Sequence, residues 1–284
     1  MTDVFSSPGL WPVSSPSPQL APAPCSFWAL LPCAGTGARA GAGAQGDAAL
    51  PKQYRPVAGR PLVLHTLAAF AGVERLRSTL VAVAPGDIFF DNHPGTGYFA
   101  VACGGPSRAD TVRGGLRALA ERGAQERDWV LVHDAARCLV STEQINSLID
   151  ACMGDQVGGL LAHKLADTLK TASAGPGGIR VVSTVDRGDK WLAQTPQMFR
   201  LGQLAKALEQ FGSIATDEAS AIEAMGEHPK LVPGSALNFK VTFPEDFALA
   251  EAVLAQRMHA GTLARFGGMQ GQSAADGDIA RSTT

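Results

Sequence analysis

The sequence predicts an α/β protein built on a mostly parallel sheet with helices on both faces. Three observations carry this. Uniformly apolar segments such as "FWALLP" (Phe27–Pro32) and "WVLV" (Trp129–Val132) read as strands buried on both sides. They alternate with segments of helical period. The loops that follow them collect the glycines and the charged residues, as in open α/β sheets whose ligands sit at the carboxyl ends of the strands.

The elements follow in order. Phe27–Pro32 is the first strand. Pro61–Phe70 reads as a helix, with Leu62, Leu64, His65, Leu67 and Ala68 on its apolar stripe. "TLVAVA" (Thr79–Ala84) and Tyr98–Cys103 are strands. After the second, "GGPSRADTVRGGLRALAE" holds a glycine turn and a helix from about Ala109. Trp129–Val132 is a strand ending at "HDAAR". Thr142–Cys152 is a helix, with Ser141 as N-cap and Gln144 at the capping-box position. Val157–Val185 breaks the rhythm. It reads as extended segments around the turn "AGPGG", and a hairpin leaving an α/β core suits a dimerisation arm. Leu201–Gln210 and Asp217–Met225 read as helices, Leu231–Val232 and Phe239–Val241 as short strands. Pro244 opens a final helix, with Glu245 and Asp246 in its first turn.

Residues 1–25, rich in Pro and Ser, are expected to be a disordered extension, and residues 267–284 a disordered tail. Residues 26–266 are one folded unit, with the β-arm at about 157–187. The 284 residues, 45% of them hydrophobic, suffice for such a domain. A net charge of −2 gives no nucleic-acid surface. The five cysteines form no CxxC pair, which argues against a disulfide framework and a zinc site. No signal peptide and no run of about 18 apolar residues is present, so the expectation is a soluble cytoplasmic protein without membrane contact.

The chemistry gathers in three places. "AGTGARA" contains G-x-G without the third glycine of the dinucleotide fingerprint, and the Walker pattern is absent. Gly35 and Gly37 permit close backbone approach to phosphate oxygens, although an ordinary strand-to-helix turn uses them equally well. Arg39 and Lys52 supply the cations that a triphosphate needs beyond backbone amides; alone, each also reads as a solvated side chain. In "VLVHDAAR", Asp134 follows a buried strand, where it can hold Mg²⁺ or accept a sugar hydroxyl. Arg137 can clamp a phosphate; the plainer reading is a helix-initiating Asp with a surface Arg. His133 reads as structural. The third set is Thr184, Asp186, Arg187, Thr195, Thr216, Asp217 and Lys240, which suits a phosphomonoester. Thr216 also reads as the cap of the helix beginning at Asp217. No G-x-S-x-G elbow and no H-E-x-x-H spacing occurs.

Taken in order, "PCAGTGARA", "PKQY", "GGPSRADTV", "VHDAAR", "DTLK", "TVDR", "TPQ", "TDEASA" and "KVTFPEDFALAE" resemble the 2-C-methyl-D-erythritol 4-phosphate cytidylyltransferase family over about Trp28 to Ala255. The resemblance implies a Rossmann-like nucleotidyltransferase fold, a homodimer with interlocked β-arms, and Mg²⁺-dependent use of CTP. It implies Arg39, Lys52 and Lys240 as catalytic cations. Pro32, Cys33, Ala34, Gly35, Gly104, Gly105, Thr111, Asp134 and Ala135 match the nucleotide side, with Asp134 also in the metal region. Asp134, Arg137, Thr168, Arg187, Thr195 and Thr216 match the polyol phosphate side, with Thr168 and Arg187 reaching in from the partner subunit. Some positions depart from the pattern. The loop "AGAGAQGDAALP" is longer than usual, Pro106 stands where an acidic residue can occur, Cys138 replaces a proline, and Thr111 replaces serine. With only a short tail after Phe266, no fused second enzyme is expected. A cytidylyltransferase for ribitol 5-phosphate is the rival closest in chemistry. A nicotinamide-dependent dehydrogenase is opposed by the missing third glycine and by Arg39, and a non-catalytic nucleotide sensor by Arg39, Lys52 and Lys240 together.

Overall fold

The computed structural model describes residues 25–35 and 50–275, with side chains described to His259. The expectations for residues 1–24 and 276–284, and for Gly37 and Arg39, lie outside them. The core is a seven-stranded sheet in the order β11-β7-β10-β6-β1-β4-β5. Here β1 is Phe27–Pro32, β4 Leu76–Ala82, β5 Tyr98–Val101 and β6 Trp129–Val132. β7 is Gly158–Lys164, β10 Trp191–Arg200 and β11 Lys230–Pro233. β1, β4, β5 and β6 run parallel, as do β7 and β11, while β10 lies antiparallel between β6 and β7.

Side-chain alternation along β1 explains the two layers. Ala29 and Leu31 face one core with Leu131, Phe70 and Ile145, under helices α1 (Leu62–Ala71) and α3 (Thr142–Cys152). Trp28 and Leu30 face the other with Val130, Leu116 and Leu204, under α2 (Arg108–Glu121) and α4 (Leu201–Phe211). The short α5 (Glu218–Glu223) adds Ala219, Ala221 and Ile222 to that layer. The last helix, α6 (Pro244–Ala275), packs Ala250, Val253 and Leu254 on Leu62, Leu139 and Val241. It continues past Phe266, where the sequence reading ended the folded unit.

Several element readings need correction. The stretch expected as one arm over 157–187 divides. β7 is a buried strand of the main sheet, and only β8 (Leu169–Gly175) and β9 (Gly178–Val185) form the separate hairpin. Burial decides this, since Leu160, Leu161 and Ala162 are almost wholly enclosed. β10 was not anticipated at all. Phe239–Val241 is not a strand, because Val241 donates its amide to Ala136 of a loop. A two-residue hairpin of β2 (Pro56–Val57) and β3 (Arg60–Pro61) precedes α1. The N-cap of α5 is Asp217, not Thr216. Asp217 accepts from the Ser220 amide while the Ser220 hydroxyl accepts from the Asp217 amide. The Ser141–Gln144 capping box of α3 is present as expected.

Candidate active site

The parallel strands β1, β4, β5 and β6 all end on the same side of the sheet, and the loops after β1, β5 and β6 line a cavity of about 420 Å³. The β1 loop contributes Pro32, Cys33, Ala34 and Gly35. A short 3-10 turn, Lys52–Tyr54, leans over it. That turn is built to hold the loop: the buried Gln53 donates to the carbonyls of Cys33 (2.8 Å) and Gly35 (3.0 Å). Among the described residues, a side chain at Gly35 would meet nothing within 4 Å. The β5 loop behaves differently. A Cβ on Gly104 would collide with Ala34, and one on Gly105 with Asp110, so Gly104 lets the β5 and β1 loops close on each other and Gly105 lets its loop close on the first turn of α2. Gly105 lines the cavity; Gly104 does not. Thr111 also lines it, its hydroxyl accepting from the Gly105 amide (3.1 Å) and donating to the Ser107 carbonyl (3.0 Å).

A second cavity of about 180 Å³ adjoins the first. It is lined by Arg137, Thr195, Thr216 and Asp217, with Gln194 and Gln197. Arg108, Asp134 and Lys240 line both cavities. The β10 register shifts between Ala193 and Gln197, and that irregularity brings Gln194 and Thr195 to the wall.

The shared wall is a charge cluster around Asp134. Its Oδ1 accepts from Arg108 Nε at 3.0 Å, its Oδ2 pairs with Lys240 Nζ at 2.8 Å, and Arg137 Nε lies 3.8 Å away. Burial by itself raises the Asp134 pKa, but Arg108 foremost, then Lys240 and Arg137, hold the carboxyl well below the ordinary range. Burial likewise opposes the charge on Arg108, and Glu218 and Asp134 more than restore it. The three cations against Asp134 and Glu218 leave the cluster one charge positive, fit to receive anions from either side.

Behind the wall, hydrogen bonds fix the backbone. His133 Nε2 lies 3.1 Å from the Arg137 carbonyl, so it carries the proton, and Nδ1 accepts from Thr195 Oγ1 at 3.0 Å. Thr195 Oγ1 in turn accepts from the Asp134 amide. Burial drops the His133 pKa to about 4, so it stays neutral, as its structural reading requires. Buried Asn238 donates to the Thr195 carbonyl and carries the chain toward Lys240. Lys52 Nζ donates to the Val241 carbonyl at 2.6 Å, which brings the two lysines to the same corner. Burial pushes the Cys33 thiol up to about 12.

Ten of the expected residues thus line the larger cavity: Pro32, Cys33, Ala34, Gly35, Lys52, Gly105, Thr111, Asp134, Ala135 and Lys240. Arg137 lines the smaller one, but two of its nitrogens are committed to the carbonyls of Asn238 (2.7 Å) and Ala193 (3.3 Å). That arrangement braces the wall; it does not present a free two-pronged clamp. Thr168 and Arg187 are exposed and line neither cavity of their own chain. Sequence reasoning passed over Arg108, Gln53, Gln194, Gln197, Glu218 and Asn238. Each sits inside or beside a quoted motif, and its partner is a residue far along the chain.

For a metal ion, the described residues lining the larger cavity offer one carboxylate, Asp134. Among the described residues no group of three His, Cys, Asp or Glu side chains comes together as a ligand set. One carboxylate is the usual protein share for Mg²⁺ when substrate phosphates supply other oxygens, so the residues fit that ion and not a self-contained metal centre.

The model of the family described as IspD, 2-C-methyl-D-erythritol 4-phosphate cytidylyltransferase, matches residues 27–256. The chain is 57% identical over 253 residues to the bifunctional enzyme IspD/IspF of Albidiferax ferrireducens, covering 88% of this chain but 56% of that protein. It therefore spans little more than half of that relative. It is 51% identical over 239 residues to the 2-C-methyl-D-erythritol 4-phosphate cytidylyltransferase of Burkholderia multivorans, covering 82% of this chain and 98% of that one. A crystal structure of 4-diphosphocytidyl-2C-methyl-D-erythritol synthase superposes with a TM-score of 0.70 at 38% identity, covering 81% of this chain and 99% of that chain.

Proposed function

Because the chain belongs to the 2-C-methyl-D-erythritol 4-phosphate cytidylyltransferase family (IspD), we propose that its paired cavities carry the transfer of a cytidylyl group from CTP to 2-C-methyl-D-erythritol 4-phosphate. The products are 4-diphosphocytidyl-2-C-methyl-D-erythritol and pyrophosphate, a step of nonmevalonate isoprenoid biosynthesis. The observation that carries the reading is the wall common to both cavities. Two anionic reactants approach from opposite sides and meet at Arg108, Asp134 and Lys240.

In this assignment CTP occupies the larger cavity and the polyol phosphate the smaller. A phosphate oxygen of the polyol bonds to the α-phosphorus of CTP, and the bond from that phosphorus to the pyrophosphate oxygen breaks. The nucleophile is ionised at neutral pH, so no general base is required. The buried His133, with both ring nitrogens engaged, is consistent with that. Charge grows on the oxygens around phosphorus and on the leaving group. Lys52 and Lys240 stabilise it, together with Arg39, which follows β1 in the sequence, so catalysis is positioning plus electrostatics. Mg²⁺ bound at Asp134 and the phosphate oxygens would neutralise part of the triphosphate charge. Ala34, Gly35 and Gly105 bring backbone up to the nucleotide. Thr195 and Thr216 border the polyol side, where Thr195 also ties Asp134 to His133.

The working unit is proposed to be a homodimer. β8 and β9 stand almost wholly in solvent with Ile179, Val181 and Val182 exposed, and Trp191 and Leu192 are exposed just beyond the hairpin. Such apolar surface on a projecting hairpin suits a second copy of the chain, whose site would receive Thr168 and Arg187. A cytoplasmic setting is supported by five cysteines that are all free. Among the described residues no helix is long and apolar enough to cross a membrane.

The test is one incubation of the chain with CTP, Mg²⁺ and equal amounts of methylerythritol 4-phosphate and ribitol 5-phosphate, with the cytidine diphosphate product weighed by mass spectrometry. The methylerythritol product is expected to dominate. A dominant ribitol product would overturn the acceptor while leaving the transfer; no product would overturn both.

A further inference from the structure

Arg108 is the most heavily committed side chain in the shared wall. Nη1 and Nη2 donate to Glu218 Oε1 and Oε2 at 2.6 and 3.0 Å, and Nε donates to Asp134 Oδ1 at 3.0 Å. Glu218 is fully buried, so the guanidinium is anchored from behind, away from the cleft. The anchor is itself pinned. Buried Gln197 accepts the amide of Ala219 at 2.7 Å and donates to Asp217 at 2.8 Å, gripping α5 on both sides of Glu218. A chain of contacts therefore runs from β10 through α5 and the first residue of α2 to the carboxylate at the junction of the two cavities.

We propose that Arg108 is a positioning residue for the transfer: clamped by Glu218, it fixes the Asp134 carboxylate where the nucleotide and the acceptor phosphate meet. The inference rests on the proposed cytidylyl transfer. Arginine is required by shape. Its planar fork serves one carboxylate with two parallel bonds and still has Nε for a second. A lysine would carry the same charge to the wall but could not span both partners. Glu218 is required because an unanchored guanidinium has no fixed direction in which to hold Asp134. A purely structural tie between α2 and α5 would use the same contacts, so the test must separate folding from function.

Two variants do this. Arg108→Gln with Glu218→Gln removes the pair together and leaves no unpaired buried charge. Arg108→Lys keeps the charge and loses the fork. Both are compared with wild type and with Arg75→Gln, which breaks a surface pair with Asp150. Melting temperature, steady-state kinetics with both substrates, and CTP binding by calorimetry in the absence of acceptor are measured. Expected is a melting temperature close to wild type in the double variant and a fall in kcat/KM for CTP of about 10–100-fold in both variants, the range for removing a residue that orients a ligand-binding group. CTP affinity should fall with it, and Arg75→Gln should change neither. Wild-type kinetics and CTP affinity in either variant would overturn the proposal. Loss matched by a loss of folded protein in both variants would also overturn it, since that is the structural tie alone. A wild-type chain that binds CTP but makes no product would sink the proposed reaction instead, and the calorimetric comparison would still decide the role of Arg108.

Discussion

Lys240 faces both cavities, and Lys52 reaches the same corner through the Val241 carbonyl. Charge that appears only during transfer is best opposed by such fixed cations. Lys240→Ala and Lys52→Ala are each expected to lower kcat by about 10²–10³, the cost of losing one preorganised contact to developing charge. Circular dichroism should show the fold retained, and near-normal turnover in either would remove that lysine from the mechanism. His133 makes a different prediction. Its folded pKa is about 4, below the usual 6.5, because burial disfavours the imidazolium. The unfolded chain therefore binds the extra proton first. The stability His133 contributes is complete above pH 6.5 and is lost as pH falls toward 4, by roughly 3 kcal/mol in all. Urea midpoints in metal-free buffer should fall across that window, and His133→Asn should flatten the slope. A slope unchanged in His133→Asn would assign it to other groups. Residue types near the β1 and β6 loops were legible because strand and loop are contiguous in sequence. Arg108 and Glu218 were not, since they are 110 positions apart and neither looks unusual without the other.

Helix caps were readable where side-chain chemistry is local. Ser141 and Gln144 form the capping box of α3 as their spacing implies. Ser141→Ala should cost about 1 kcal/mol by thermal melting and leave turnover unchanged, because the cap lies outside both cavities. A cost below a few tenths would mean that packing of Ile145, Leu148 and Ile149 holds the helix without it. The same local logic misplaced the start of α5 by one residue. Thr216 and Asp217 can both cap, and only the reciprocal bond with Ser220 selects Asp217. Strands were legible where both faces are buried, as in β1 and β6. β10 was not, because "QTPQ" (Gln194–Gln197) places polar side chains in mid-strand. Those residues are polar for the site: Gln194 and Thr195 border the smaller cavity, and Gln197 grips α5. β7 reads as extended but not as part of the sheet, since it opens on Gly158 and Gly159 and the hairpin follows after a few residues. Long-range pairing with β10 and β11 assigns it to the sheet.

On the scale of the whole molecule, the site lies beyond the carboxyl ends of the central strands β1 and β6, and the hairpin of β8 and β9 forms a separate sheet. If Arg187 acts in the partner's site, mixing Arg187→Ala chains with Arg39→Ala chains should recover activity. One site of each mixed dimer then collects both defects, and the other has neither. With random exchange the mixture should reach up to about a quarter of wild-type turnover, because half the dimers are mixed and each has one intact site. No recovery after verified exchange would return Arg187 to its own chain. The hairpin has one more consequence. Along β8 and β9 nearly every residue is solvent-exposed, so those strands contribute little to the folding of the chain that bears them. In the proposed homodimer, selection for expression, protease resistance or heat tolerance of the single chain would let this segment drift, while selection for product would not. A deep mutational scan read by both criteria should therefore split most widely over the hairpin, marking it as sequence kept for a neighbour's benefit.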